Sequence, residues 1–353
     1  MHVHIREATP DDNEELQKLQ AECPQGRSLV VSTVNTPDFF ARAKAYESYK
    51  VYVACEENRI IGSVAYGLRE ALVNGVPCRI AHEFQGFTSP DARKRGIAKK
   101  MLRIIDDELC DQKVALSYAL IMEGNRPSMR MMESLGFERF RSLVMRVLPV
   151  YRELDAPDSK EIRQASAEDL PEIAALINDT WEDHQLFEPT TAETLARFIN
   201  RTPAYGIENI FVSGDGNSIL ACLGFWDWSR ITRVTVQTLS LKMQLTGLLL
   251  RISGLFRPMP QFIKPGDTMQ QIMLSPIAFR DPRHLTMLLK HLNNIALGNN
   301  IKQIFCIGEP DHGLLQAMEG FIQVDTALHV YVRRRGKDVQ LENKPVFING
   351  IDL

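Results

Sequence analysis

An internal repeat is the feature that most constrains the fold of this chain. Residues 162–169 (IRQASAED) repeat residues 5–12 (IREATPDD) in residue type, and a predicted amphipathic helix follows each copy. Further along, residues 309–321 echo residues 123–137, and both segments end in a Gly-Phe pair. Self-similarity of this kind indicates two similar structural units in tandem. A length of 353 residues is sufficient for two domains of ordinary size.

The repeat also predicts where these units begin and end. We expect a first domain over residues 1–150 and a second over residues 161–335, joined by a charged linker at residues 151–160. Residues 336–353 would form a C-terminal tail. Its strand-like end is expected to pair with one of the domains or with a partner chain.

A basic turn in the first domain predicts an anion site. Residues 89–98 (SPDARKRGIA) lie between a strand-like segment and a helix predicted over residues 99–109, so Gly96 stands where that helix begins. Free N–H groups at a helix start attract anions, and Gly96 has no side chain to keep a phosphate away. Positive charge is added by Arg93, Lys94 and Arg95. The pattern is typical of a pyrophosphate-binding turn.

The same run resembles the acyl-CoA signature Arg/Gln-x-x-Gly-x-Gly/Ala of the GNAT N-acetyltransferase superfamily, with Arg93, Gly96 and Ala98 at the matching positions. The order of predicted strands and helices over roughly residues 1–148 resembles this superfamily as well. The resemblance implies an α/β (α+β) protein of two tandem GNAT-like domains, each a mixed, mostly antiparallel twisted sheet flanked by helices. It also implies an acetyl-CoA-dependent N-acetyltransferase that moves the acetyl group directly to an amine in the first domain.

The resemblance further implies which residues contact the acetyl-CoA co-substrate. Backbone groups of Phe87 and Thr88, on the strand before the turn, would bind the pantetheine arm. The pyrophosphate would lie on Arg93, Lys94, Arg95, Gly96, Ile97 and Ala98. Asn125 matches an Asn that contacts the cofactor arm in the family, although it would serve equally well as a helix cap.

Two adjacent residues are candidates for the general base. His82 and Glu83 lie on the strand expected over residues 78–88, and adjacent strand residues face opposite sides, so only one can point into the cleft. Glu83 lies near the position where some family members place a catalytic Glu. His82 has the better intrinsic pKa for the task. Either residue could instead belong to a polar network.

The general acid is where the sequence departs from the family. The usual Tyr, four residues before the Gly of the Gly-Phe pair, is replaced by Met132, which cannot donate a proton to a thiolate. Three explanations are open. The thiolate leaves without help, another donor such as Ser128, Tyr118 or water acts, or the domain binds acyl-CoA without transferring it. We favour transfer without the Tyr, because the CoA thiolate is a tolerable leaving group near neutral pH.

The second domain lacks the features of the basic turn. After the strand predicted over residues 271–278 comes the segment 279–284 (FRDPRH), which contains no glycine. Asp281 would repel a pyrophosphate, and Pro282 supplies no N–H group at the helix start. We therefore expect a degenerate domain with a structural role.

The second domain also contains a basic, apolar insertion at about residues 236–264. Residues 228–266 include six Lys or Arg residues among many large apolar ones, and neither Asp nor Glu. We expect a helical lid over the second domain or across a dimer seam, since amphipathic helices usually cover a core. The alternative is a helix that lies on anionic lipid or captures an apolar substrate.

Composition narrows the classes of partner. A net charge of −3 gives no reason to expect nucleic acid, and six scattered cysteines suggest neither a disulfide framework nor a metal site. Such cysteines are natural in a reducing compartment, so we expect a cytoplasmic protein. No apolar run reaches the roughly 18 residues of a membrane span, so we expect it to be soluble. The acceptor would be a small-molecule or peptide amine. A non-catalytic acyl-CoA-binding or interaction protein, a longer acyl donor and a homodimer stay open.

Overall fold

The structure is a computed structural model and describes residues 3–156, 161–216, 218–335 and 340–353. Pro157 of the predicted linker and residues 336–339 of the predicted tail lie outside the described residues. The strands are β1 Val3–Glu7, β2 Gln25–Gly26, β3 Leu29–Asn35, β4 Ser48–Glu56, β5 Arg59–Val73, β6 Val76–Thr88, β7 Leu116–Met122, β8 Glu138–Pro149, β9 Ile162–Gln164, β10 Ile210–Gly214, β11 Ile219–Asp227, β12 Thr232–Leu239, β13 Thr268–Met269, β14 Gln271–Phe279, β15 Gln303–Gly308 and β16 Val324–Arg334. The helices are α1 Asn13–Ala21, α2 Ile97–Asp111, α3 Arg126–Glu133, α4 Leu170–Trp181, α5 Ala192–Arg201, α6 Leu241–Ser253, α7 Pro282–Gly298 and α8 Gly313–Gln316.

A single sheet of 12 strands runs through both halves of the chain, in the order β1-β4-β5-β6-β7-β16-β8-β15-β14-β11-β10-β9. Its neighbours are antiparallel except for the parallel pairs β6–β7 and β14–β15. Helices flank the sheet. The predicted class, a mixed and mostly antiparallel α/β fold of two tandem units, is confirmed.

The two halves exchange strands at the middle of this sheet. β16, from the second half of the chain, lies between β7 and β8 of the first half, with Val330 opposite Leu120 on one side and Arg141 on the other. β8 in turn pairs with β15, where Val147 lies opposite Phe305. The sequence boundary expected at residues 151–160 therefore describes the order of the chain, and the structure adds an exchange of strands across it.

Helix α2 shows how the sequence positions the basic turn. Its apolar residues recur at helical spacing, and the same residues are buried against the sheet, chiefly over β5 and β6, namely Ile97, Met101, Leu102, Ile105 and Leu109. Packing along this stripe fixes the helix axis on the sheet. Gly96 and the turn before it are thereby held at the end of β6.

A second, smaller sheet joins the two halves and has the strand order β13-β12-β3-β2. β12 pairs with β3 over most of its length, with Val234 opposite Thr33. The predicted insertion at about residues 236–264 thus begins inside a strand and continues into α6. None of the helices in the described ranges is long and apolar enough to cross a bilayer.

Candidate active site

The basic turn has the backbone geometry of an anion site. Gly96 adopts a left-handed conformation with φ +76° directly before α2, and a Cβ placed there would meet no atom within 4 Å. Lys94 is also left-handed, at φ +62°. The first N–H groups of α2 have no carbonyl partner within the helix. The turn therefore presents unpaired donors beside open space, as the predicted pyrophosphate site requires.

The side chains of the turn differ in the hydrogen bonds and ion pairs that they form. The Nε of Arg93 donates to the carbonyl oxygen of Thr88 at 3.2 Å, and Arg95 forms an ion pair with Glu56. Lys94 is exposed and has no ion pair among the described residues. Ile97 is buried and anchors the helix start, while Ala98 is half-buried. The structure thus brings all six predicted turn residues to one place.

Next to this turn, strands β6 and β7 separate. Their parallel pairing is confined to Ile80–His82 with Leu116–Tyr118, although β6 continues to Thr88. A β-bulge lies in the unpaired part, where Gln85 has φ +50° and the register with β5 shifts. Bulges re-aim backbone groups. The gap leaves the β7-facing edge of Phe87 and Thr88 without a strand partner, where the sequence predicts the pantetheine arm.

Asn125 lies at the start of α3 and acts as its cap. Its Oδ1 accepts a hydrogen bond from the N–H of Ser128 at 3.4 Å. The capping role accounts for the side chain, and contact with a cofactor stays a prediction.

His82 stands at the point where the two strands separate, inside a buried aromatic and charged cluster. The ring is stacked on Tyr118 with centroids 4.6 Å apart. Its Nδ1 lies 2.7 Å from the hydroxyl of Tyr46, which donates to Oδ1 of Asp352 at 2.6 Å. Since the single proton of Tyr46 goes to the carboxylate, Nδ1 of His82 must be the donor to Tyr46. The lone pair of the ring is then on Nε2.

Arginines balance the charge of this cluster. Arg69 donates to both carboxylate oxygens of Asp352, at 3.3 and 3.0 Å, and to the hydroxyl of Tyr118 at 2.6 Å. Arg42 donates to the backbone oxygen of Asp352 at 2.5 Å. Burial opposes the charge of Asp352, but Arg69 and the other donors outweigh it and lower its pKa. Burial lowers the pKa of His82 to about 3, so the ring is neutral at physiological pH.

Glu83 lies on the opposite face of the sheet, as the alternation along β6 requires. Its carboxylate is buried and lies 3.4 Å from Nη2 of Arg335. Arg335 also contacts Asp106 of α2 at 3.0 Å, and Asp106 accepts from Arg333 at 2.6 Å. Burial raises the pKa of Glu83. The structure thus places the two predicted bases apart, with Glu83 in an ionic network behind α2 and His82 on the side of the Asp352 cluster.

The position of the general-acid Tyr that this chain lacks has apolar surroundings. Met132 is buried in the core beneath α2 with Ala119 and Ile121. Tyr118, one of the predicted alternatives, is fully buried, and burial raises its pKa well above the usual value. Ser128 lies in the first turn of α3. No donor replaces the usual Tyr at position 132 itself.

A cavity of about 300 Å³ opens beside the His82 cluster, between the two halves of the chain. Tyr46 and Arg69 line it from one side, and Glu188, Arg197 and Arg201 from the other. Both Arg197 and Arg201 form ion pairs with Glu47 at 3.2 Å. The side chain of Glu188 makes no hydrogen bond or ion pair with any described residue, and burial raises its pKa. Glu70 also lines the cavity without a direct partner among the described residues, but it is exposed, so Glu188 is the half-buried carboxylate there that has none.

The corresponding places in the second half are filled by the chain itself. Asp281 caps α7 by accepting from the N–H of Arg283 at 2.9 Å, and Pro282 takes the first helical position. β14 and β15 separate after Met273 and Phe305, and residues 346–350 of the tail line the space between them. Ser275 donates to Oδ1 of Asn349 at 2.5 Å. This half offers neither a free helix start nor an open gap.

Sequence reasoning missed Tyr46, Arg69, Asp352 and Glu188. The tail was predicted to be strand-like and to pair with one of the domains or with a partner chain, but not to reach His82. Val346 does form a parallel bridge with Gln185, and the following residues carry Asp352 into the cluster. A signal was nonetheless present, because Asp352 is a lone acidic residue between Ile351 and Leu353 in an apolar segment. Buried charges of this kind need partners.

No group of three or more His, Cys, Asp or Glu side chains in the described ranges is arranged to hold a metal ion.

The chain is similar to known acyltransferases in part of its sequence and in its fold. Residues 13–137 match the acetyltransferase (GNAT) family, and no curated protein matches the sequence. Among solved structures, the N-myristoyltransferase of Saccharomyces cerevisiae with bound myristoyl-CoA is similar at a TM-score of 0.67 and 10% identity, over 99% of this chain and 83% of that chain. A GCN5-related N-acetyltransferase from Anabaena variabilis is similar at a TM-score of 0.53 and 11% identity, over 94% and 73% of the two chains.

Proposed function

We propose that this chain is an acetyl-CoA-dependent N-acetyltransferase with its reaction centre in the first half, because residues 13–137 match the acetyltransferase (GNAT) family and the fold of nearly the whole chain is similar to that of an acyl-CoA-binding transferase. The observation that carries the proposal is the left-handed Gly96 at the open start of α2, next to the gap between β6 and β7. The start of α2 would hold the pyrophosphate, and the gap between β6 and β7 would hold the pantetheine arm.

Backbone N–H groups and side-chain charge both support the proposed pyrophosphate site. Helix N–H groups favour an anion by their dipoles and by direct hydrogen bonds. Arg93, Lys94 and Arg95 add positive charge, and the side chain of Arg95 is exposed, so it could turn from Glu56 towards a phosphate. The pantetheine amides would then continue along Phe87 and Thr88 towards His82, where the strands come together.

The reaction needs a neutral amine and a stabilised oxyanion. The amine nitrogen attacks the thioester carbon, the C–N bond forms, and the carbonyl oxygen takes negative charge. Backbone N–H groups at the Gln85 bulge are the proposed donors to that oxygen. The C–S bond then breaks with departure of the CoA thiolate, and the added nitrogen loses one proton.

His82 is the proposed acceptor of that proton, through Nε2. A pKa of about 3 makes it a weak base towards a free ammonium ion. The nitrogen of the tetrahedral adduct is far more acidic than a free ammonium ion, so a neutral imidazole at this position is sufficient. The chain from Nδ1 through Tyr46 to Asp352 holds the ring in the required tautomer. Glu83 stays a second candidate, but its contact with Arg335 on the other face gives it less access to the gap.

The acceptor is proposed to bind in the cavity between the halves. The free carboxylate of Glu188 would pair with a cationic group of the acceptor, because a half-buried carboxylate gains most from a charged donor. A small-molecule amine or a peptide N-terminus fits this requirement. Both arginines of α5 that line the cavity are engaged by Glu47. Of the two lining carboxylates without a partner in the described part of the chain, Glu70 is exposed and Glu188 is half-buried, so Glu188 is the proposed recognising charge.

A longer acyl donor is the second candidate. The observation in its favour is the similarity of the fold to the yeast N-myristoyltransferase, which extends over nearly the whole chain and includes both halves. Competition between acetyl-CoA and myristoyl-CoA for one site would decide between the two donors.

The test is a calorimetric titration of acetyl-CoA into the wild type and a Gly96→Glu variant. We expect one site per chain in the wild type and loss of binding in the variant, since the added carboxylate would lie among the anion-binding groups. Gly75→Glu is the matched control, because Gly75 has φ +79° and equally open space but lies in the β5–β6 turn. Binding without turnover on a panel of amines would favour the non-catalytic alternative. No binding of any acyl-CoA would overturn the proposal.

A further inference from the structure

Helix α6 exposes most of its large apolar side chains. Of the eleven large apolar side chains exposed in the described part of the chain, seven lie between residues 241 and 256, with exposed fractions between 49% and 85%. These are Leu241, Leu245, Leu248, Leu249, Ile252, Leu255 and Phe256. Contiguous apolar surface of this kind marks an interaction site more often than isolated exposed residues do.

The opposite face of the same helix is covered. Met243 packs on the small sheet with Val234 and Val236, and a Cβ at Gly247 would lie 2.3 Å from the ring of Phe262. The small sheet therefore holds α6 in place by its inner face. The outer apolar stripe is an additional surface that the core does not use.

Positive charge borders the stripe on both sides. At about 100° per residue, Leu241, Leu245 and Ile252 share one direction of the helix, while Lys242 and Arg251 lie roughly a quarter-turn to either side of it. Both cations are exposed. Arg257 and Lys264 follow in the same segment, and neither Asp nor Glu occurs from residue 228 to residue 266.

From this arrangement we infer that α6 and the turn after it dock on the surface of an anionic lipid membrane. An apolar stripe flanked by cations is the pattern of a helix that lies in the plane of the interface, because the apolar side chains enter the acyl region while the cations reach the lipid phosphates. With 13 residues, or about 20 Å, the helix lies on the bilayer and does not cross it.

Charge favours this partner over a second copy of the chain. The segment is positive throughout, so two copies facing each other through it would bring like charges together. An anionic surface has the complementary charge, and each cation near it adds to binding. The inference does not depend on the proposed acyl transfer, since it rests on α6 alone.

The test is co-sedimentation of the full-length protein with vesicles of phosphatidylcholine alone and of phosphatidylcholine with about 30% phosphatidylglycerol. We expect binding to the anionic vesicles at low salt and weaker binding at about 0.5 M NaCl, where charges are screened. Leu245→Ser/Leu249→Ser/Ile252→Ser should weaken partitioning by more than about tenfold, because it removes three apolar anchors. Lys242→Glu/Arg251→Glu should abolish the preference for anionic lipid.

The matched control is Ile322→Ser/Val324→Ser, which removes two exposed apolar side chains outside α6. It should bind vesicles like the wild type. Equal lack of binding to both kinds of vesicle by the wild type at low salt would overturn the proposal. So would a concentration-dependent dimer, measured by analytical ultracentrifugation, that the triple serine variant dissociates, because the stripe would then be covered by a second copy.

Discussion

The hydroxyl of Tyr46 donates a hydrogen bond of 2.6 Å to Oδ1 of Asp352, across 306 positions of sequence. The same hydroxyl contacts His82, so the tail of the chain sets the state of a ring in the first half. Arg69, Tyr118 and the backbone N–H of Asn349 also donate to the carboxylate. This relationship has consequences for stability and for turnover that can be measured.

His82 should make the folded state sensitive to acid. Its pKa is about 3 in the folded protein and about 6.5 in an unfolded chain. The unfolded state therefore takes up a proton first as pH falls, so this contribution to stability is complete above about pH 6.5 and is lost towards pH 3. The expected loss is up to about 1.4 kcal/mol per pH unit. Urea unfolding between pH 7 and 4 should show a shallower dependence in His82→Gln, and identical slopes would contradict the prediction.

Removal of the Asp352 charge should destabilise the fold strongly. In Asp352→Asn the guanidinium of Arg69, whose side chain is 6% exposed, would remain buried without its counter-charge. Breaking a buried pair in this way costs about 3–5 kcal/mol. The measurement is the free energy of unfolding in urea. Asp91→Asn, which removes one side of the exposed pair with Arg59, is the control and should have little effect.

Substitutions of the two predicted bases should have different effects on kcat. We expect His82→Gln to lower kcat by about 10²-fold or more, the contribution of a positioned proton acceptor. Glu83→Gln should keep most of kcat, because its partners Arg335 and Asp106 belong to the ionic network behind α2. Steady-state kinetics over the pH range that both variants tolerate would check this. Full activity in both variants would remove the acid–base proposal.

Glu188 should set the affinity for the acceptor. Glu188→Gln is expected to raise KM for a cationic amine by about tenfold while kcat changes little, since a hydrogen bond to a charged group contributes about 1.5–3 kcal/mol. Glu193→Gln removes the same charge from an exposed position of α5 that does not line the cavity. If both variants raise KM equally, long-range charge and not the cavity explains the effect.

Acetyl-CoA should bind once per chain. The start of α7 carries its own carboxylate, because Asp281 accepts from the backbone of Arg283. In Asp281→Ala the N–H of Arg283 is released, but Pro282 still lacks an N–H group and the tail still fills the gap between β14 and β15. The stoichiometry in a calorimetric titration should therefore stay at one. A second site in the variant would show that Asp281 alone prevents acetyl-CoA from binding to the second half.

Local patterns allowed part of this molecule to be predicted from its sequence. The spacing of Met101, Ile105 and Leu109 and the glycine before them define α2 and the turn, since both depend on neighbours in the chain. The His82 cluster could not be predicted in the same way. Its members come from the segment between β3 and β4, from β5, β6 and β7, and from the tail, and only the three-dimensional fold brings them together. Strand exchange was missed for a related reason, because the run of buried residues from Leu328 to Val332 in β16 does not specify which strands it pairs with.

The exchange of β8 and β16 also bears on how the protein can be divided. Each half contains a strand whose hydrogen-bonding edges are occupied by the other half. Separated fragments would each expose open strand edges and part of a core, and such edges pair readily with a matching strand. Two fragments cut between β8 and β9 should therefore recognise each other and reassemble, so this chain could be engineered into a split-protein pair.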